Sequence, residues 1–171
     1  MLVDGFFFDA LYGGRRLRAL TVVDNFTREC LAIEVDRGIS GEQVAGVLGR
    51  ITMERPTPRT IRVDNGREFV SKVPDQWAYR NGVKLDFSRP GKPTDNPYVE
   101  SFNGSLRDEC LNVNWFLSLQ DARGKIEAWW RHYNESRPHM ALGDVPPSEF
   151  ASKRGASPAL AGSARPGIFT P

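Results

Sequence analysis

An α/β domain, with a five-stranded mixed sheet flanked by helices, is the fold class that this sequence predicts, and three observations predict it. The first third carries three runs of β-branched and aromatic residues separated by polar turns. Beyond them, strand-like and helix-like segments alternate, as a sheet with crossover connections requires. Ten Phe, four Tyr and four Trp in 171 residues supply the interior of one domain and exclude disorder of the whole chain.

The strands of the first third are Leu2 to Leu11, Arg16 to Val23 and Glu29 to Val35, joined through Tyr12-Gly13-Gly14 and Asp24-Asn25-Phe26-Thr27 as an antiparallel meander. Ser40 followed by Gln43 is a capping box, opening a helix to about Met53 with Val44, Val47, Leu48 and Ile51 on its buried stripe. Pro56 and Pro58 stop it. Thr60-Ile61-Arg62-Val63 is a short buried strand that runs into the turn Asp64-Asn65-Gly66. A helix around Trp77 to Tyr79 ends at Asn81-Gly82, and Val83 to Phe87 alternates as the fifth strand. After the stiff basic loop Arg89-Pro90-Gly91-Lys92-Pro93, Asp95 or Asn96 caps a helix carrying Val99, Phe102, Leu106 and Cys110 on one face. The last long helix starts near Ser118 and carries Ala122, Ile126, Trp129, Trp130 and Tyr133 at helical spacing. Residues 1–153 form the domain, and 154–171, rich in Ser, Ala, Gly and Pro, form a flexible tail.

Composition narrows the function classes without choosing among them. The net charge of +2 is far from the strongly basic balance that by itself points to nucleic acid. No apolar run reaches the ~20 residues of a membrane span, and the opening MLVDGFFFDAL lacks a basic signal-peptide start, so the expected location is cytoplasmic. Cys30 and Cys110 read as two small core residues in a reducing compartment, not as a disulfide.

The residues that carry chemistry are acids. Asp4 lies on the first strand, Asp64 at the end of the fourth, and Glu100 one turn into the helix after the basic loop, where the predicted sheet brings them together. Arg107 stands seven positions beyond Glu100, nearly two whole helical turns, so both share one helix face with Asn103 and Gly104 between them. Three carboxylates without Cys or His suit hard Mg²⁺ or Mn²⁺. Two such ions about 4 Å apart activate the attacking oxygen and stabilise the leaving one at phosphorus, so phosphodiester chemistry is the expected reaction.

Four stretches make the pattern specific: Val63-Asp64-Asn65-Gly66-Arg67-Glu68-Phe69, Arg89 to Asn96, Glu100-Ser101-Phe102-Asn103-Gly104-Ser105-Leu106-Arg107-Asp108-Glu109-Cys110-Leu111, and Tyr133-Asn134 with Arg137-Pro138-His139. From about residue 4 to 152 they closely resemble the catalytic core of bacterial insertion-sequence transposases related to retroviral integrases. The resemblance implies a ribonuclease H-like fold and a DDE triad on Asp4, Asp64 and Glu100 that holds two Mg²⁺ or Mn²⁺ ions. It further implies cutting and joining of DNA ends, with Arg107 near the reacting phosphate. Arg89 and Lys92 in the stiff loop, and Asn103, are further DNA-contacting candidates. Homo-oligomerisation is expected, and no membrane partner.

Two positions depart from the family pattern. Asp4 precedes Asp9 by five residues where related sequences have four, which leaves Gly5 at the ungapped catalytic place. Either a β-bulge at Gly5 restores Asp4 to the site, or the first ligand is displaced or lost, with Asp9 in reserve. Arg67 replaces a common Pro in the turn after Asp64. A whole transposase of this kind also has an N-terminal helix-turn-helix-like part that recognises the element's ends. Here the chain starts inside the first core strand, so that part is expected to be encoded separately or to be missing, with activity compromised by the truncation.

Other acids and aromatics take structural readings. Asp24 is a turn cap and Glu34 lies on a solvated face; Trp115, Trp129 and Trp130 pack; His139 makes a structural hydrogen bond; His132 has no evident partner. Two rivals to the transposase core remain at this point. One is a nuclease of the same fold that cuts without joining. The other is an inactive truncated remnant that folds and binds DNA weakly.

Overall fold

Five strands and five α-helices make up the protein in a computed structural model that describes residues 2–64, 66, 69–88 and 97–155, with side chains from Asp9 onward. The strands are β1 (Leu2–Ala10), β2 (Arg16–Asp24), β3 (Cys30–Asp36), β4 (Thr60–Val63) and β5 (Lys84–Phe87). The helices are α1 (Gly41–Glu54), α2 (Lys72–Asn81), α3 (Pro97–Leu106), α4 (Leu119–Glu135) and α5 (Pro147–Lys153). The sheet order is β3-β2-β1-β4-β5, antiparallel across the meander and parallel across β1, β4 and β5, so the expected mixed five-stranded sheet is present. Residues 156–171, where the sequence predicts a tail, lie outside the described residues. Among the described residues no helix is long and apolar enough to cross a membrane.

The sheet separates two apolar layers. Leu20, Val22, Ile61 and Val63 pack with Val44, Val47, Leu48 and Ile51 of α1 on one face. Leu17, Ala19 and Val23 pack with Val99, Phe102 and Leu106 of α3 and Ile126, Trp129 and Trp130 of α4 on the other. Local signals explain the helix starts: Ser40 accepts from Gln43 N while Gln43 returns a bond to Ser40 N, and Ser118 accepts from Asp121 N. Gly82, at φ +64, ends α2 in the left-handed conformation that glycine adopts without steric cost.

Two expectations about regularity are corrected. The β1–β2 ladder runs without a break from Leu2 opposite Asp24 to Ala10 opposite Arg16, so β1 has no bulge at Gly5. The irregularity lies instead between β2 and β3, where Val22 pairs with Ala32 and Val23 with Cys30. The helix bearing Glu100 also changes character: α3 is regular to Leu106, and Arg107–Leu111 form a π turn closed by Asn112 N–H on Arg107 O at 2.8 Å. Trp115 is 73% exposed, edge-on to Tyr12 at 5.5 Å, and does not join the core. Trp129 and Trp130 do, and both cysteines are buried and free. Asp24 caps its turn by accepting from Phe26 N, and Glu34 pairs with Arg50.

Helix α4 is held on the sheet by polar groups that replace a missing strand. Cys30 on edge strand β3 donates its N–H to Asn134 Oδ1 at 2.9 Å, and its carbonyl accepts from Asn134 Nδ2 and Trp130 Nε1. On the next residue back, Glu29 is fully buried and forms a bidentate ion pair with Arg55, the C-terminal cap of α1, at 2.7 and 2.9 Å. Removing one member strands a buried charge, so Arg55→Ala is expected to cost about 3–5 kcal/mol, and the double change Glu29→Met with Arg55→Met markedly less. Urea denaturation of the two variants beside the parent checks this; equal losses would refute the pairing.

His139 sits edge-on to Tyr133 at 4.9 Å, and its Nε2 is buried without a hydrogen-bond partner among the described residues, so the expected side-chain hydrogen bond is not made there. Burial, reinforced by the charges of Arg137 and Arg28, holds the imidazole below its ordinary value near 6.5. The unfolded chain then binds a proton more readily than the native one. This contribution to stability is complete above about pH 6.5 and is lost as pH falls through the lowered native value. Between pH 7.5 and 5 the parent's Tm should drop more steeply than that of His139→Gln; parallel curves would contradict it.

Candidate nucleic-acid active site

The candidate residues lie at the end of β4 and on α3, which packs on β1 and β2. Strand β4 ends at Val63, and the chain turns at Asp64, whose Oδ1 accepts the Gly66 N–H at 2.7 Å in an Asx turn. That bond holds a half-buried carboxylate at the C-terminal end of a parallel strand, where substrate-handling groups of such sheets collect. Glu100 is exposed in the first turn of α3, whose buried residues Val99, Phe102 and Leu106 turn it outward from the core.

One turn beyond Glu100, Asn103 accepts a hydrogen bond on Oδ1 from the Thr21 hydroxyl at 2.9 Å. Thr21 is fully buried in β2, so this bond fixes both the height of α3 above the sheet and the orientation of the amide. Sequence reasoning missed Thr21, because a Thr in a β-branched strand carries no sign that its hydroxyl faces a helix. Gly104 follows, with nothing within 4 Å of where a Cβ would stand, so the helix presents open backbone to an approaching partner. Arg107, exposed, opens the π turn. Glu100, Gly104 and Arg107 are therefore on the solvent side of the helix, while Asn103 is half-buried and turned toward the sheet.

A basic group that the sequence did not single out completes the rim. Arg28, in the β2–β3 turn at φ +62, places its guanidinium 3.4 Å from the ring centroid of Tyr98 on the first turn of α3. The helix is buttressed from behind by Phe102 against Trp129 and Tyr133, at 5.4 and 4.8 Å between centroids.

The remaining expected residues fall differently. Asp4 is described as backbone only; it pairs with Val22, and Gly5 pairs with Thr21. Asp9, the reserve ligand, spends Oδ1 on the Ala10 N–H at 2.7 Å; burial, with the Asp9 charge as a smaller contribution, raises the Cys110 thiol to about 11. It lies four residues beyond Gly5, about 13 Å along the strand, and so away from Asp64. Arg89, Lys92 and Arg67 lie outside the described residues. Among the described residues no group of three acids, histidines or cysteines forms a metal cluster.

Comparison with known proteins places this geometry in a family. The sequence matches the integrase core domain over residues 2–93, and a second integrase core domain description over residues 81–147. It is 55% identical over 152 residues to an uncharacterized 31.7 kDa protein of insertion element IS407 from Burkholderia multivorans, covering 89% of this chain and 55% of that protein. A 39.2 kDa protein of insertion element IS476 from Xanthomonas euvesicatoria is 50% identical, over 86% of this chain and 42% of its own length. The putative transposase InsK of IS150 from Escherichia coli is 23% identical over 82% and 50%. The chain thus spans about half the length of these relatives. Among solved structures, the HTLV-2 integrase catalytic core in complex with magnesium superposes with a TM-score of 0.65 at 16% identity, over 87% of this chain and 93% of that one. The chain of a simian T-cell lymphotropic virus intasome gives 0.70 at 15% identity, over 93% and 55%. With the five-stranded sheet, the carboxylate at the end of β4 and helix α3 in place, the chain belongs to the integrase core domain family.

Proposed function

We propose that the chain is the strand-cutting and strand-joining part of an insertion-sequence transposase, a polynucleotidyl transferase acting on DNA phosphodiesters. The observation that supports the reading is the Thr21–Asn103 bond that pins α3 to the sheet, the helix that carries Glu100 in its first turn, together with the Asp64 carboxylate held at the end of β4 by Gly66 N–H. The donor set is hard and anionic, and Mg²⁺ or Mn²⁺ is commonly held by one or two carboxylates together with waters and phosphate oxygens. Asp64 and Glu100 would hold it. When bound, such an ion lowers the pKa of an attacking oxygen and neutralises charge on the phosphate.

The chain's own residues do the positioning. Gly66 N–H keeps the Asp64 carboxylate at the strand end, and Asn103 and Arg107 offer an amide and a guanidinium to phosphates laid along the open backbone at Gly104. In hydrolysis, a water oxygen bonds to phosphorus as the P–O3′ bond breaks, the water losing a proton and the leaving oxygen gaining one to become a 3′-hydroxyl; in joining, that 3′ oxygen bonds to a target phosphorus as the target's own P–O3′ bond breaks, and its proton passes to the 3′ oxygen released. Asp4 enters the set only by a one-residue slip of β1 against its neighbours, since the observed register pairs it with Val22. Element ends, target DNA and further copies of the chain are the proposed partners.

Asp64→Asn and Glu100→Gln are each expected to lower Mn²⁺ affinity and to reduce cleavage of a labelled duplex more than about 100-fold while leaving the far-UV spectrum unchanged. Parental cleavage by either variant would exclude the pair. A strand-transfer assay with a pre-cut end separates a joining enzyme from a nuclease. Arg107→Ala should reduce the salt slope of DNA binding by about one unit, and equally for unrelated sequences. An unchanged slope would remove Arg107 from the phosphate contacts.

A further inference from the structure

We propose that the β1 seat for a third carboxylate in this site is position 5, where the chain carries glycine, so that in the observed register the site holds one divalent ion through Asp64 and Glu100 instead of two. The inference rests on the reading of that pair as ligands, and it assigns Asp4 no role in binding.

Two ladders independently give the phase of β1. In an antiparallel pair, residues directly opposite share a face of the sheet. Gly5 is opposite Thr21, whose hydroxyl reaches Asn103 of α3, so position 5 belongs to the α3 face. Asp4 is opposite Val22, which has no exposure and packs in the α1 layer, so position 4 belongs to the other face. On the second side of β1, Leu2 pairs with Ile61 and Val3 with Arg62 of β4. Counted on by two, position 5 falls beside Asp64 and position 4 beside Val63, another wholly buried member of the α1 layer. The row Thr21, Gly5, Asp64 therefore runs across β2, β1 and the end of β4 on the face where Thr21 meets α3.

Distance makes the assignment selective. Neighbouring strands are about 4.8 Å apart, so a carboxylate at position 5 and that of Asp64 are close enough to share one ion, whereas position 4 is on the opposite side of the sheet. A one-residue slip of β1 or a bulge within it would rephase it, and the shift found among the described strands lies between β2 and β3. Asp9 has the phase of position 5 but stands four residues further on, with Oδ1 engaged by Ala10 N–H. A second ion needs a bridging carboxylate, and the row offers a hydrogen atom in its place.

The test is Mn²⁺ binding by the full chain, followed by calorimetry and by the paramagnetic resonance of free Mn²⁺, in the parent, Gly5→Asp, Asp4→Asn, Asp64→Asn and Glu100→Gln. The expected result is one ion in the parent, at least tenfold tighter binding and a second ion in Gly5→Asp, and parental binding in Asp4→Asn. Loss in Asp4→Asn equal to that in Asp64→Asn would overturn the proposal by showing β1 rephased with Asp4 as ligand; this arm keeps the parent's glycine and decides the matter even if Gly5→Asp does not fold. A folded Gly5→Asp that binds like the parent, while Asp64→Asn does not bind, would overturn the seat and leave the pair standing. Unchanged binding in both Asp64→Asn and Glu100→Gln would overturn the pair itself, and the seat with it.

Discussion

Residues 29 and 30 fasten both helical layers to the sheet, and the position of the site depends on that fastening. Glu29 reaches through one side to the guanidinium of Arg55 at the end of α1. Cys30 turns its peptide group to the other side, where Asn134 and Trp130 of α4 satisfy its N–H and carbonyl. An edge strand with unpaired backbone groups is normally open to another chain; here a helix side chain with one donor and one acceptor closes it. Because the β2–β3 irregularity lies at the same place, Cys30 is freed from ladder geometry where α4 claims it.

From this anchor the order of support can be followed to the chemistry. Helix α4, once seated, presents Trp129 and Tyr133 to Phe102, and their edge contacts set α3 laterally. The Thr21–Asn103 bond sets its height, and Glu100 follows as a rigid consequence one turn away. The polar side of α3 is left bare of packing, which costs little because its groups stay hydrated until a charged partner displaces the water. The division between a dry rear and a wet front explains why an apolar cluster rich in aromatic rings stands so close to carboxylates that must remain ionised.

Much of this was legible because local rules and tertiary needs agree. The Ser40–Gln43 box, the Gly82 stop and the 3.6-residue stripes of α1 and α4 state their structure within a few residues. What stayed hidden depends on partners far along the chain. Glu29 reads as a strand residue until Arg55 is beside it, and Asn134 reads as a polar helix residue until it is seen against Cys30, 104 positions away. The phase of β1 was illegible for a different reason: both of its alternating rows contain an acid and Phe, so no hydrophobic contrast selects a face, and only the neighbouring ladders decide. The short helices around Met140 and Pro147 gave no periodic signal within three and seven residues. The spacing of Leu106 and Cys110 fits an α-turn as well as a π turn, which concealed the change of helix type.

That change gives the last turn of the helix a rotational frame of its own. The π turn adds a residue to a single loop of the spiral, so Arg107 to Leu111 are clocked differently from Pro97 to Leu106. Within that turn, Glu109 faces Trp129 Nε1 and Arg137 at 3.1 and 2.7 Å. Before it, Glu100 and Asn103 keep the clocking demanded by the sheet. The wider turn thus works as a gear between two sets of partners whose spacings do not match, so that the turn gripping α4 does not drag Glu100 and Asn103 out of alignment with the sheet.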